Sequence, residues 1–143
     1  MGKETRNATI VVSHEEGVRF AAHVRSHRII VDQSIRGGGL DSAPSPIELL
    51  GASLGSCVAF YVQQFCLARG LSFQGLRVEV EQKSAQNPNR VVRFDVRVVM
   101  PEPVPEQYAA MLARVVRSCP AHNTLTQGAE VMVAIEDAAT VGL

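Results

Sequence analysis

The sequence predicts an α+β domain, and three observations carry that expectation. The run from Pro46 to Arg69 has helix signals at both ends. Short runs with apolar side chains at every second residue lie on either side of it. Two shorter helical segments and a last alternating run follow. At 143 residues and 46% hydrophobic content the chain is long and apolar enough for one domain, residues 1–143, with its own core.

The elements follow in order. Asn7–Ser13, Val18–Val24 and Arg28–Gln33 are β-favouring runs separated by His14-Glu15-Glu16-Gly17 and Arg25-Ser26-His27, which reads as a three-stranded meander. The stretch from Arg36 to Pro44 is rich in glycine and other breakers, and reads either as a flexible connector or as a loop closing over a site. Ser45 then caps a helix with Pro46 at its first position. Glu48 completes the capping box, and Gly70 is the left-handed stop. Between Ile47 and Leu67 the strongly polar side chains are Glu48, Gln63 and Gln64, so the helix is expected to be buried all round. Gly51, Gly55 and Ala59, with Ala52 and Ser56, make a smooth strip for a second helix or for the same helix of a second copy. Gly75–Lys83 and Arg90–Met100 alternate apolar and charged residues and predict a hairpin with one wet face. Glu106–Arg117 is an amphipathic helix, Cys119-Pro120 opens a short helix ending at Gln127, and Glu130–Glu136 is expected to be a last strand.

Composition excludes several function classes. Lys+Arg and Asp+Glu both number 14, so the basic excess that binds a phosphate backbone is missing and nucleic acid is not an expected partner. The N-terminal residues Met1 to Arg6 lead into an alternating segment rather than an apolar secretory core. No uninterrupted run of about 18 apolar residues spans a membrane. A cytoplasmic protein without a membrane partner is expected. Three cysteines and no Cys-x-x-Cys do not make a secreted disulfide framework.

The thiols sit in contrasting contexts. Cys119 precedes Pro120 where a helix cap belongs, so free N–H groups and the helix dipole favour its thiolate, and His122 is three residues on. Cys57 lies about three turns into the long helix and needs a nearby cation or donor to become reactive. Cys66 is turned away from Cys57 by about 180° and reads as structural. Taken alone, each cysteine reads as a small apolar core residue. A metal site on Cys119, His122 and another thiol is a further reading, although a closed structural zinc site needs four ligands.

The string from Asp41 to Ala59, with cysteine eleven residues after Pro46 and a second Cys-Pro 62 residues beyond Cys57, resembles the OsmC/Ohr family of osmotically inducible and organic hydroperoxide resistance proteins. The likeness covers nearly the whole chain. It implies an OsmC-like fold, with antiparallel sheets wrapped around a long central cysteine-bearing helix in an intertwined homodimer. It also implies a stress-response thiol peroxidase that needs no haem, flavin or metal, acts on organic hydroperoxides and is recycled by an external dithiol. Carried over by position, Cys57 is the peroxidatic thiol and Cys119 the resolving one. An arginine from the N-terminal sheet, held by a glutamate at the start of the cysteine helix, keeps the thiolate charged. Glu48 is the candidate glutamate, with capping as its other reading. The best-known peroxidase branch has its glutamate directly after the proline, where this chain has Ile47, and one residue along a helix is a rotation of about 100°. This places the chain nearer a less characterised branch. Arg19 is the closest positional match for the arginine, with Arg25, Arg28 and Arg36 also open. The alternative within the same fold is a non-catalytic dimer that binds a small apolar ligand at the subunit interface.

Overall fold

Alternation of apolar and polar residues near the N-terminus produces a meander, as expected, although its boundaries differ. The computed structural model describes residues 8–142, so the expected strand start at Asn7 and the N-terminal residues before it lie outside the described residues. Strands β1 (Val11–Glu16), β2 (Arg19–Val24) and β3 (His27–Val31) form one antiparallel sheet in that order. The segment His14-Glu15-Glu16, expected as a turn, belongs to β1, and the turn shrinks to Gly17-Val18 with Gly17 at φ 55°. The reason is charge pairing across the sheet: Glu15 meets both Arg19, at 3.1 Å, and Arg28, so acidic residues are tolerated in the strand. The register pairs Val12 with Ala22 and Ala22 with Ile29, and Phe20 with Val31, which collects these side chains on one face. Most of that face is open: Val12, Phe20 and Ile29 are exposed while Val31 is buried.

The chain divides into two compact units, and the boundary falls inside the long helix α1 (Pro46–Arg69). The first unit contains the meander, the start of α1 through Ser56, and residues Val78–Val99. Helix α1 begins as the sequence dictates. Ser45 Oγ accepts from the Glu48 N–H at 3.3 Å while the Glu48 carboxylate accepts from the Ser45 N–H at 3.0 Å. At its other end the Leu71 N–H donates to Cys66 O at 3.0 Å around Gly70, whose φ of 65° allows this wrapped finish. Strands β4 (Arg77–Ala85) and β5 (Arg90–Val99) form a two-stranded sheet, with Arg97 paired to Glu79 and Lys83 to Asp95, at 3.2 Å, across the wet face.

One expectation about α1 is corrected, and the other is met only in part by one copy. Within a single chain the helix buries one stripe, through Gly51, Leu54, Gly55, Val58, Val62, Phe65 and Cys66. Ala52, Ser56, Phe60 and Leu67 are exposed. The Gly51 and Gly55 part of the small-residue strip meets β4 of the same chain, not another helix. A Cβ on Gly55 would stand 3.1 Å from Val80 Cγ2, and Gln82, which donates to Ile47 O at 3.1 Å, fills the space over Gly51. By length and hydropathy α1 falls among helices able to cross a bilayer, and here its buried stripe lies inside the protein.

The second unit holds Cys57–Arg77 and the chain from Met100 onward. Helix α2 (Glu106–Arg117) packs against the end of α1. The Phe65 and Tyr108 rings meet edge to face at 6.0 Å, the Arg69 guanidinium lies 3.8 Å from the Phe65 ring centre, and Leu112 is buried. Helix α3 (Pro120–Gln127) follows with Cys119 as its cap and Gly128 as its stop. The expected strand at Glu130–Glu136 does not form: residues 128–137 carry no regular structure, and Val131, Met132, Val133 and Ile135 are 80–96% exposed. Strand propensity is the fit of a side chain to a pleated, half-buried surface, and among the described residues no strand edge takes the segment.

Candidate functional site

The second unit brings the two candidate reactive cysteines together. Cys57 projects from α1 half-buried, Cys119 is fully buried at the start of α3, and the two lie near enough for Cys57 to act on the Cys119 thiol. Proline at the first helical position sets this geometry, because it leaves Cys119 in an extended conformation as the cap, with its sulfur accepting the His122 N–H at 3.2 Å. Cys66 is fully buried elsewhere on α1, and burial pushes its thiol up.

The expectation that the helix start makes Cys119 a thiolate is corrected. Burial is the largest influence and pushes the Cys119 thiol up; the His122 and Ala121 N–H groups pull it down by less, and the neighbouring Cys57 raises it further. Cys119 therefore stays a thiol. His122 reaches that sulfur through its backbone N–H, while its ring Nδ1 is enclosed with no hydrogen-bond partner among the described residues. Among the described residues no cluster of three or more His, Cys, Asp or Glu side chains is placed to hold a metal ion.

The first unit holds the candidate charges. Arg19 Nε donates to Glu15 Oε2 at 3.1 Å, and Nη1 donates to Ser42 Oγ at 3.2 Å. Arg28 shares Glu15 with it, Arg25 sits in the β2–β3 turn at φ 54°, and Arg36 lies in a short 3-10 turn, Ile35–Gly37. Glu48 is engaged by Ser45, whose backbone and hydroxyl hydrogen bonds hold the carboxyl below its usual range.

The breaker-rich loop after β3 is ordered around Asp32, a buried carboxylate that the sequence reading did not single out. Its oxygens accept from the Gln33 N–H at 2.8 Å, the Leu40 N–H at 3.3 Å, the Ser42 N–H at 3.0 Å and the Ser42 hydroxyl at 2.7 Å. These bonds, led by the Ser42 hydroxyl, lower its pKa to about 2. These bonds tie Gln33, Leu40 and Ser42 of the segment to one carboxylate. A cavity of about 350 Å³ opens beside it, lined by Arg19, Asp32, Gly38, Gly39, Leu40 and Ser42 among others. The only sequence signal for this arrangement was local: an aspartate followed by serine and glycines, the residues that bond nearby backbone and permit tight turns. Glu15 gave no signal because its pairing with Arg19 depends on the hairpin forming, and Ser42 gave none because its bond to Arg19 is 23 residues away in the chain.

The geometry can be set beside known proteins. A protein of Psychrobacter arcticus named for osmotic stress and detoxification response has the same fold at 21% identity and TM-score 0.76, over 85% of this chain and 91% of that one. An OsmC-like protein of Mycoplasma pneumoniae matches at 19% identity and TM-score 0.73, over 85% and 89%. An organic hydroperoxide resistance protein OsmC of Legionella pneumophila matches at 15% identity and TM-score 0.61, over 86% and 91%. At these identities the likeness is one of fold. No curated protein matches the chain. The sequence model of the OsmC-like protein family matches residues 38–134, a segment that includes both Cys57 and Cys119, and the chain belongs to that family.

Proposed function

We propose that this protein is a thiol-dependent peroxidase that reduces organic hydroperoxides. The observation that carries the reading is that Cys57 and Cys119, residues far apart in sequence, are brought near enough for one thiol to act on the other. The Cys57 thiolate attacks the outer peroxide oxygen, the O–O bond breaks, and the alkoxide takes a proton to leave as an alcohol. Cys57 is left as a sulfenic acid. The Cys119 thiol then displaces the hydroxyl, which leaves as water, and a Cys57–Cys119 disulfide forms. An external dithiol reduces this disulfide by exchange and is itself oxidised. The order of reaction follows from Cys119 remaining a thiol, while the more accessible Cys57 takes the first oxidation.

By the family resemblance Arg19 supplies the positive charge that favours the Cys57 thiolate, with Glu48 as the carboxylate at the start of the cysteine helix. Glu15 is the carboxylate that Arg19 touches, so it shares that role in this reading. The protein acts as a homodimer in the cytoplasm, and the dimer is supported by the apolar side chains that one copy leaves uncovered. Thiol counting tests the reaction. One equivalent of cumene hydroperoxide should consume two thiols per chain, leaving Cys66 free. Loss of no thiols under these conditions rejects the peroxidase and favours a non-catalytic member of the fold.

A further inference from the structure

The β1–β2 hairpin and the loop 32–44 meet at one hydroxyl. Ser42 Oγ lies 2.7 Å from Asp32 Oδ2 and 3.2 Å from Arg19 Nη1. A guanidinium only donates and an ionised carboxylate only accepts, so the direction of each bond is fixed. The hydroxyl proton goes to Asp32, and the hydroxyl oxygen is turned toward Arg19. Asp32 is itself immobilised, being buried and bonded to the backbone N–H groups of Gln33, Leu40 and Ser42. The loop closes this tightly only because residue 39 is glycine. Any Cβ there would collide with Gln33 O and come within 2.6 Å of Asp32 Oδ1.

Glu15 alone would fix Arg19 poorly, because an exposed ion pair holds a long side chain only weakly against its rotamer freedom. The Ser42 bond adds a second hold on a different nitrogen. Glu15 grips Nε and Ser42 grips Nη1, while Nη2 has no hydrogen-bond partner among the described residues and Arg19 lines the cavity. We propose that Asp32 is a positioning residue: through the Ser42 hydroxyl it fixes the Arg19 guanidinium and leaves Nη2 free to meet a negatively charged group. The catalytic consequence rests on the reading of Arg19 as the cation that serves Cys57; the positioning itself does not.

The test uses the full chain in its reduced form, labelled with ¹⁵N, and follows the Arg19 side-chain nitrogen signals, assigned by their loss in Arg19→Lys. In the wild type, Arg19 should show resolved Nη signals from a guanidinium whose rotation is slowed. Ser42→Ala and Asp32→Asn should average them, and Ser42→Thr, which keeps the hydroxyl, should retain them, with circular dichroism confirming that each variant is folded. Resolved Arg19 signals that persist in Ser42→Ala overturn the proposal. The rate of thiol loss to cumene hydroperoxide gives the second readout. Ser42→Ala should slow it about tenfold, the equivalent of one hydrogen bond to a charged group, and should slow Arg19→Ala no further. Additive losses in the double variant would mean that Ser42 acts independently of Arg19 and overturn the proposal. If the wild type is inert to hydroperoxides, the peroxidase reading fails, and the nitrogen signals still decide whether Asp32 positions Arg19.

Discussion

Cys119 shows how burial overrules a helix start. Its sulfur has the donor that a capping position supplies, the His122 N–H at 3.2 Å, yet the thiol is held in its protonated form by the desolvation around it and by Cys57. The cap was legible in the sequence because Cys-Pro is a local pattern. The burial was not, because it depends on α1, far away in the chain. Exposure then orders the thiols, with burial also holding Cys119 and Cys66 protonated: brief treatment with iodoacetamide at pH 8 should alkylate half-buried Cys57 well before Cys119 and Cys66, read by peptide mass. Faster labelling of Cys119 would contradict the assignment. Asp32 illustrates the reverse sign. Its folded pKa of about 2 lies below its ordinary value of 3.8, so its contribution to stability is fully present above about pH 4 and is lost as pH falls toward 2. A carboxyl ¹³C titration should place its midpoint near 2, and a midpoint near 3.8 would mean that the four hydrogen bonds do not form in solution.

Elements whose boundaries are set by neighbouring residues were readable, and those set by distant partners were not. Helix α1 starts and stops where Ser45, Pro46 and Gly70 place it, since capping is settled within one turn. Replacing Ser45 by Ala should lower stability by about 1 kcal/mol in urea denaturation, as loss of a cap does; an unchanged midpoint would show that the capping box is idle. The β1 boundary moved because the cross-sheet partners of Glu15, Arg19 and Arg28, can be seen only once the strands are paired. The glycine strip was correctly read as a surface of close approach, yet its neighbour is β4, because small residues specify proximity and not the identity of what comes near. The segment 130–136 has the composition of a strand, but Val131, Met132, Val133 and Ile135 stay exposed among the described residues.

At the scale of the whole molecule, the apolar surface that one copy leaves uncovered supports the proposed homodimer. Val12 and Ile29 on the meander, Phe60 and Leu67 on α1, and Val131, Met132, Val133 and Ile135 near the C-terminus are all exposed. Uncovered surface on this scale marks a site of association. Sedimentation equilibrium at micromolar concentration should give the mass of a dimer, and a stable folded monomer would reject the homodimer. Membership of the OsmC-like family was legible because its motif joins a capped helix, a cysteine at fixed distance and a remote Cys-Pro in one chain. The anchoring of Arg19 by Ser42 was not, since no spacing encodes a hydrogen bond between a hairpin and a loop. The central claim is that Cys57 reacts first and Cys119 resolves it, and dimedone labelling tests this most directly. After brief exposure to cumene hydroperoxide, Cys119→Ser should carry one dimedone adduct, mapped to Cys57, and Cys57→Ser should carry none. An adduct on Cys119 in Cys57→Ser with none on Cys57 in Cys119→Ser would reverse the roles, and no adduct in either variant would contradict the account.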